Sequence, residues 1–291
     1  MWNMAIGQLN MDGKDKIEIA IERLKFFEKI ALKSSDEGYY VAYSGGKDSL
    51  VIAYLCILAG VKFALHNNHT TLDAPELVYH IRDMKTWFKN NHNVDLYIHY
   101  PEKTMWELIP EKLMPPTRTV RYCCDYLKEG GGIGRFVVTG VRWDESVRRK
   151  KLRQMVEFDR YGSESKEAKE NRKIFLNNDN DEKRRMMETC KIKGKHILNP
   201  IIDWTDEDVW EFIKKYKLPY CNLYDKGFER LGCIGCPMSG KKGMLKEFKL
   251  YPQYYKNYLS AFGRMLKARK EKGLDTNWKT SEDVMKWWIG Q

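Results

Sequence analysis

Three short stretches carry residues whose types and spacing could do chemistry. S-G-G-K-D-S sets Ser44, Gly45, Gly46, Lys47, Asp48 and Ser49 between two apolar runs. Two glycines at a strand-to-helix turn let successive backbone N–H groups converge on an anion at the positive end of the helix, and Lys47 adds a point charge. This is a phosphate cradle, and its spacing differs from the nucleoside-triphosphatase pattern G-x-x-x-x-G-K followed by Ser or Thr. Asp48 has two readings, a magnesium contact or a cap of the helix.

The second stretch is G-C-I-G-C-P at 232–237. Thiolates of Cys233 and Cys236, three residues apart around a glycine, can grip one metal, and Pro237 stiffens the exit. A tetrathiolate site needs two more ligands. The candidates are Cys123 and Cys124 in R-Y-C-C-D-Y-L-K and Cys190 in E-T-C-K-I-K. Adjacent cysteines oppose each other in a strand and diverge by about 100° in a helix, so Cys190 rivals either member of the pair. Arg121 and Lys128 on either side favour thiolate over thiol. Four thiolates close a zinc site or a 4Fe-4S cluster equally well. Cys56 reads as a small packed hydrophobe, and Cys221 as packed or as a neighbour of the metal ligands. The third stretch, R-W-D-E-S-V-R-R-K-K-L-R at 142–153, holds six basic residues, a density suited to phosphate contacts or to a solvated helix face.

These residues need elements to position them. Ile17, Ile21, Leu24, Phe27 and Ala31 mark one face of a helix over 15–33. Y-Y-V-A-Y at 39–43 is a buried strand, S-G-G-K-D-S follows it, and L-V-I-A-Y-L-C-I-L-A is a buried helix closed by Gly60. Strands are also predicted at 61–66, 95–100 and 135–140. Helices are predicted from Asp73, a candidate cap with Glu76 reaching back, to about Asn91, and over 104–113. Alternating strands and helices predict an α/β fold, a parallel sheet covered on both faces. Thr205 caps a helix with Val209, Trp210 and Ile213 on its apolar face. The aromatics of 244–271 and Trp287-Trp288 are core or, alternatively, a stacking platform for bases. S-E-S-K-E-A-K-E-N-R-K, poor in apolar residues, reads as a mobile insert.

Composition bounds the function. The 291 residues, 43% hydrophobic, can bury a sizeable core. No apolar run is long enough for a membrane-spanning helix and the first residues lack a secretory pattern, so a cytoplasmic protein without a membrane partner is expected. Seven cysteines in such a chain point to metal or catalysis rather than disulfides. The net charge is +11, and residues 142–195 hold 17 basic against 11 acidic residues, +6 of that excess. A polyanionic partner is favoured.

S-G-G-K-D-S after a first strand resembles the PP-loop of the adenine nucleotide alpha-hydrolase-like superfamily. G-V-R-W-D-E-S-V-R-R at 140–149 resembles the G-x-R-x-x-E-S-x-x-R segment of the phosphoadenosine and adenosine phosphosulfate reductases. R-Y-C-C and G-C-I-G-C-P are similar to the cysteine motifs of the iron-sulfur members. The resemblance implies a Rossmann-like parallel sheet with helices on both faces and the PP-loop after the first strand, followed by a helical, cysteine-containing C-terminal region. Its parts would be an N-terminal helix (1–35), a PP-loop core (36–143), a basic insert (144–195) and a helical region with the C-x-x-C metal site (196–291). It implies ATP or an adenylyl phosphosulfate bound by Ser44, Gly45, Gly46, Lys47, Asp48 and Ser49, with Arg142, Glu145, Ser146 and Arg149 facing its phosphate or sulfate groups. It also implies a 4Fe-4S cluster, with zinc as the alternative, on Cys123, Cys124, Cys233 and Cys236, and leaves Cys190 as the substitute ligand.

Two departures from the reductase pattern redirect the reaction. No cysteine follows Cys236, so the E-C-G-L-H type of tail that supplies the reductases' nucleophile is missing. H-N-N-H-T-T-L-D at 66–73 stands where they usually show D-T-G, so that His66 and His69 touch nucleotide or substrate, or are exposed loop residues. The expectation is therefore ATP-dependent adenylylation and sulfur transfer, with magnesium if Asp48 holds it. Lys47, Arg142, Arg149 and Glu145 would be the catalytic residues, and a DNA or tRNA acceptor would lie on 142–195. A sulfur-donor or reductant protein is an expected partner. Phosphosulfate reduction, and nucleotide sensing on a zinc-stapled fold, are the alternatives.

Overall fold

The computed structural model describes residue 7 and residues 13–157, 194–274 and 276–290. Cys190 and residues 158–193 of the expected insert lie outside them. Two compact units are built from interleaved segments rather than from consecutive ranges. Unit 1 takes Met1–Asn67, Tyr79–Ile98 and Gly131–Glu229, and unit 2 takes Asn68–Val78, His99–Gly130 and Arg230–Gln291. Among the described residues no helix is long and apolar enough to cross a membrane.

In unit 1, helix α1 (Lys16–Ser34) opens at a capping box in which the Glu18 N–H donates to Asp15 and the Asp15 N–H to Glu18, both at 2.9 Å. Its expected stripe turns inward at Ile17, Leu24 and Ala31. β1 (Tyr39–Ala42) leads into α2 (Lys47–Ala59), which ends at Gly60 with φ +66°. β2 (Phe63–Asn68), α3 (Pro75–His92) and β3 (Leu96–His99) follow. Further along the chain come β4 (Phe136–Val138), α6 (Val147–Leu152), β5 (Val156–Glu157), β6 (His196–Leu198) and α7 (Asp206–Lys215). Period-two alternation sets the faces of β1. Tyr39 turns towards α1, its hydroxyl donating to the Leu24 carbonyl at 2.6 Å, while Tyr40 packs with Val137 and Ile197. α2 is buried almost all round. Val51, Ile52 and Leu55 are wholly enclosed, each contributing about 1.5–3 kcal/mol.

The six strands run in the order β3-β2-β1-β4-β6-β5. β1 is parallel to β2 and to β4, pairing Val41 with Leu65 and with Val138. β4 is parallel to β6, and β5 runs antiparallel to β6. The four predicted strands are present. β5 and β6 escape sequence reading because two and three residues carry no period. Strand order reverses about β1, so the crevice beyond the carboxyl ends of β1 and β4 is the topological switch point where such sheets bind ligands. His66 is neither exposed nor in a loop. It lies buried in β2, its ring stacked on Tyr40 at 3.8 Å.

Unit 2 is helical: α4 (Met105–Lys112), α5 (Tyr122–Leu127), α8 (Gly240–Leu250), α9 (Pro252–Glu271) and α10 (Ser281–Ile289). Phe248, Tyr258, Phe262, Met265 and Trp288 fill its core, and the Trp288 indole N–H donates to the Pro116 carbonyl at 2.6 Å. The core reading of these aromatics therefore holds over the stacking platform. Ahead of α3 the Asp73 carboxylate accepts from the Thr70 N–H at 3.1 Å, and Glu76, in the first turn of α3, accepts from the Tyr251 hydroxyl at 3.0 Å. His69 also belongs to this unit, where its Nδ1 accepts from the Thr71 N–H at 3.2 Å.

Candidate functional site

The cradle forms where β1 gives way to α2. Gly45 takes φ +77°, Gly46 is the N-cap, and the Gly46 N–H points to the Ser44 hydroxyl at 3.4 Å. Ser49 donates from its hydroxyl to the Gly46 carbonyl at 2.8 Å and lies 3.3 Å from Ser44 Oγ. The Lys47 ammonium is buried. It donates to the Glu229 carbonyl at 3.3 Å and pairs with Asp206 Oδ1 at 3.0 Å. The Lys47 backbone N–H, a first-turn donor of α2, meets the Tyr224 hydroxyl at 2.9 Å.

Arg142, which follows β4, is the knot of this site and is only 2% exposed. Its Nε donates to Asp48 Oδ1 at 2.7 Å, its Nη2 to Asp206 Oδ1 at 2.8 Å, and its Nη1 to the Trp204 carbonyl at 3.4 Å. A single Asp206 oxygen thus receives both Lys47 and Arg142. Burial works to push the Asp206 carboxyl up, but Lys47 and Arg142 hold it below the usual carboxylate range. Burial likewise opposes the charge on Arg142, and Asp48 and then Asp206 raise its pKa. Asp48 does not cap α2. Its carboxylate belongs to Arg142. Gly140 allows the two segments to meet, since a Cβ there would lie 2.9 Å from the Asp48 backbone carbon.

The rest of the arginine segment bonds to itself. Glu145 accepts from the Arg142 N–H at 3.1 Å and is paired with the Arg149 guanidinium, while the Ser146 hydroxyl caps α6 by accepting from the Arg149 N–H at 3.2 Å. Of the basic residues in 142–153, Arg142 and Arg153 are buried, Arg153 on Glu157 at 2.7 Å, whereas Lys150 and Lys151 are exposed. Sequence reading missed Asp206 and Tyr224. The acidic run D-E-D at 206–208 reads as a helix start, which it is, with Thr205 as N-cap, and nothing local shows that its first carboxylate faces a lysine 159 positions earlier.

Unit 2 gathers the cysteines. Cys123 and Cys124 lie on α5 and are hydrogen-bonded to each other, and Cys233 and Cys236 are close enough to act on Cys123 electrostatically. The hydrogen bond from Cys123, then the Arg121 and Lys128 charges, bring the Cys124 thiol down to about 5 against burial, and Arg121 Nη2 lies 3.3 Å from its sulfur. Burial pushes the Cys233 thiol up while Lys128 pulls it down, and its S–H points to the Thr70 hydroxyl at 3.6 Å. Lys128 is raised, first by Cys233, then by Asp73, Cys124 and Cys236, with desolvation opposing.

The C-x-x-C loop is pinned by its backbone. Ile234 N–H donates to the Leu72 carbonyl at 2.8 Å, the Tyr258 hydroxyl to the Ile234 carbonyl at 3.1 Å, and Gly235 N–H to Glu247 at 2.6 Å. Gly235 has φ +73°, and a Cβ there would lie 2.6 Å from the Phe248 ring. Among the described residues no group of three or more His, Cys, Asp or Glu side chains is arranged to hold a metal ion. What fits a metal is the donor set, four thiols in one electrostatic neighbourhood with two cations. Cys56 and Cys221 are buried in unit 1, and burial drives the Cys56 thiol well up.

A doubly wound sheet with an anion cradle at its switch point defines a nucleotide-binding class of α/β protein. The chain belongs to the phosphoadenosine phosphosulfate reductase domain family, whose domain it matches over residues 38–239. It is 26% identical to an uncharacterised protein of Methanocaldococcus jannaschii over 263 residues, 86% of this chain and 54% of that one. The chain spans about half the length of the curated relatives it matches over most of its own length, 54% and 40% of the two. Among solved structures it is similar to the phosphoadenylyl-sulfate reductase of Candida auris, with TM-score 0.46, 17% identity, and 79% of this chain and 98% of that one covered. It is also similar to the U34-tRNA thiolase NcsA of Methanococcus maripaludis with its 4Fe-4S cluster, with TM-score 0.43, 13% identity, and 94% and 87% covered.

Proposed function

We propose that the protein is an ATP-dependent sulfurtransferase that adenylylates a nucleic-acid acceptor, DNA or tRNA, and replaces the activated oxygen with sulfur. The observation that carries this reading is the cradle: at the switch point the Lys47 amide meets the Tyr224 hydroxyl, and the Lys47 ammonium and the Arg142 guanidinium converge on one Asp206 oxygen. Such donors suit the pyrophosphate end of an adenine nucleotide. An acceptor oxygen attacks the alpha phosphorus, and the bond to pyrophosphate breaks with the electron pair leaving on pyrophosphate. The cradle cations stabilise that charge. A sulfide-level sulfur then displaces AMP. Lys150 and Lys151 are the exposed cations on which the acceptor's phosphates would sit.

Cys123, Cys124, Cys233 and Cys236 would hold a 4Fe-4S cluster, with Arg121 and Lys128 favouring their thiolate forms. When bound, the cluster supplies a place for sulfur or electron transfer. The arrangement of the thiols supports transfer over reduction. Of the six described cysteines two are buried and four are grouped together, so none stands apart as a nucleophile for a phosphosulfate. The family match favours a second reading, phosphosulfate reduction releasing sulfite. Incubation with ATP or with the phosphosulfate, with a reductant, separates them. Pyrophosphate released from ATP in the presence of an acceptor supports transfer, and sulfite released from the phosphosulfate overturns it in favour of reduction.

A further inference from the structure

The donors expected to hold a ligand's phosphates are already engaged by the protein's own oxygens. The Lys47 N–H, at the start of α2, lies 2.9 Å from the Tyr224 hydroxyl. The same hydroxyl is 3.3 Å from where a Cβ on Gly46 would stand, so it fills the open side of the glycine turn. The Lys47 ammonium lies 5.6 Å from the centre of the Tyr224 ring and 3.0 Å from Asp206 Oδ1, an oxygen that also takes the Arg142 Nη2–H at 2.8 Å. Both side chains come from one stretch of unit 1. Trp210 of α7 sets its ring edge-on to Tyr224, with centroids 5.1 Å apart, one turn after Asp206. The Tyr224 backbone is fixed in a tight turn, its N–H donating to the Cys221 carbonyl at 3.2 Å and its carbonyl accepting from the Gly227 N–H at 3.0 Å.

We infer that Tyr224 and Asp206 are placeholders in the anion seat and determine what it accepts: a ligand enters by replacing the hydroxyl on the Lys47 amide and the carboxylate oxygen on Lys47 and Arg142. The inference rests on the cradle being the nucleotide's phosphate site and adds its selection rule. An incoming group that brings oxygens on two linked acidic centres, a pyrophosphate or a phosphosulfate, can replace both at once. Orthophosphate replaces one and leaves the other competing. Before the ligand arrives, the placeholders keep a buried lysine and a buried arginine satisfied. A side chain that competes with the ligand has the opposite signature from one that binds it, because its removal tightens binding.

The test is calorimetric titration of the full chain with inorganic pyrophosphate, and separately with orthophosphate, at fixed ionic strength. Wild type, Tyr224→Phe and Asp206→Asn are compared, with a thermal melt to confirm that each is folded. Tyr224→Phe keeps the ring against Trp210 and removes only the competing oxygen. Pyrophosphate should bind about 2- to 10-fold tighter to Tyr224→Phe, the effect of one net hydrogen bond. Asp206→Asn, which removes the carboxylate charge, should shift affinity in the same direction and decides the matter if the tyrosine variant does not fold. Wild type should prefer pyrophosphate to orthophosphate. Unchanged or weaker pyrophosphate binding in the variants, with wild-type binding intact, overturns the placeholder role and leaves the proposed function standing. No binding of pyrophosphate or ATP by wild type or either variant overturns the nucleotide reading together with the inference.

Discussion

Lys47 and Arg142 in unit 1 face the carboxylates of Asp48 and Asp206, whereas Arg121 and Lys128 in unit 2 face thiols, of which Cys124 is brought down to about 5. The first site is electrostatically complete and can bind by exchanging one set of oxygens for another. The second already favours a thiolate at Cys124, which suits a group that brings its own metal. The carboxylate site is therefore tuned by competition and the sulfur site by deprotonation.

The largest effect should break the sulfur side alone. After anaerobic reconstitution, Cys233→Ser and Cys236→Ser should lose nearly all bound iron and sulfide, while Cys56→Ala and Cys221→Ser should keep both. Single replacements of Cys123, Cys124 and Cys190 then show which of the three are ligands. A colourless wild type holding one zinc would turn the site into a structural staple. On the oxygen side, Arg142→Leu leaves Asp48 and Asp206 with Lys47 alone between them, and should lower the unfolding free energy in urea by about 1–3 kcal/mol, less than for a fully buried pair because both carboxylates are partly exposed. Equal stability to wild type would show that the carboxylates relax into water. Gly140→Ala forces a methyl group against the first turn of α2 and should lose about 1–3 kcal/mol in the same assay.

The smallest effect is a pH dependence. Asp206 has its folded pKa below the unfolded value, so its contribution is full above about pH 4 and fades as pH falls through the folded pKa. The melting temperature of wild type should exceed that of Asp206→Asn at pH 6, with the gap closing towards pH 2. A gap independent of pH would mean that the carboxylate's charge is not what Lys47 and Arg142 use.

Much of the cradle was legible because it is local. S-G-G-K-D-S lies within six residues, its strand and helix carry clear apolar patterns, and Thr205 announces α7. The α/β class followed from the alternation of those patterns. The partners of the cradle were not legible. Asp206 and Tyr224 reach it from 159 and 177 positions away, and each looks locally like something else, a first-turn acid and a turn tyrosine. The burial of His66 is hidden for a related reason. Its loop-like neighbours hide that it lies within a buried strand and stacks on Tyr40, a contact set by pairing between strands. The two units interleave along the chain, so no composition break marks them in the sequence.

That interleaving sets a timetable for synthesis. Unit 2 draws its segments from three separate parts of the chain, so Cys123 and Cys124 leave the ribosome more than a hundred residues before Cys233 and Cys236. At about 5–20 residues per second the first pair waits roughly 5–20 s for the second. During that interval Cys123 and Cys124 are without Cys233 and Cys236, the thiols that neighbour them in the folded chain. The order in which the segments are written thus leaves a vicinal dithiol without its partner thiols until unit 2 is complete.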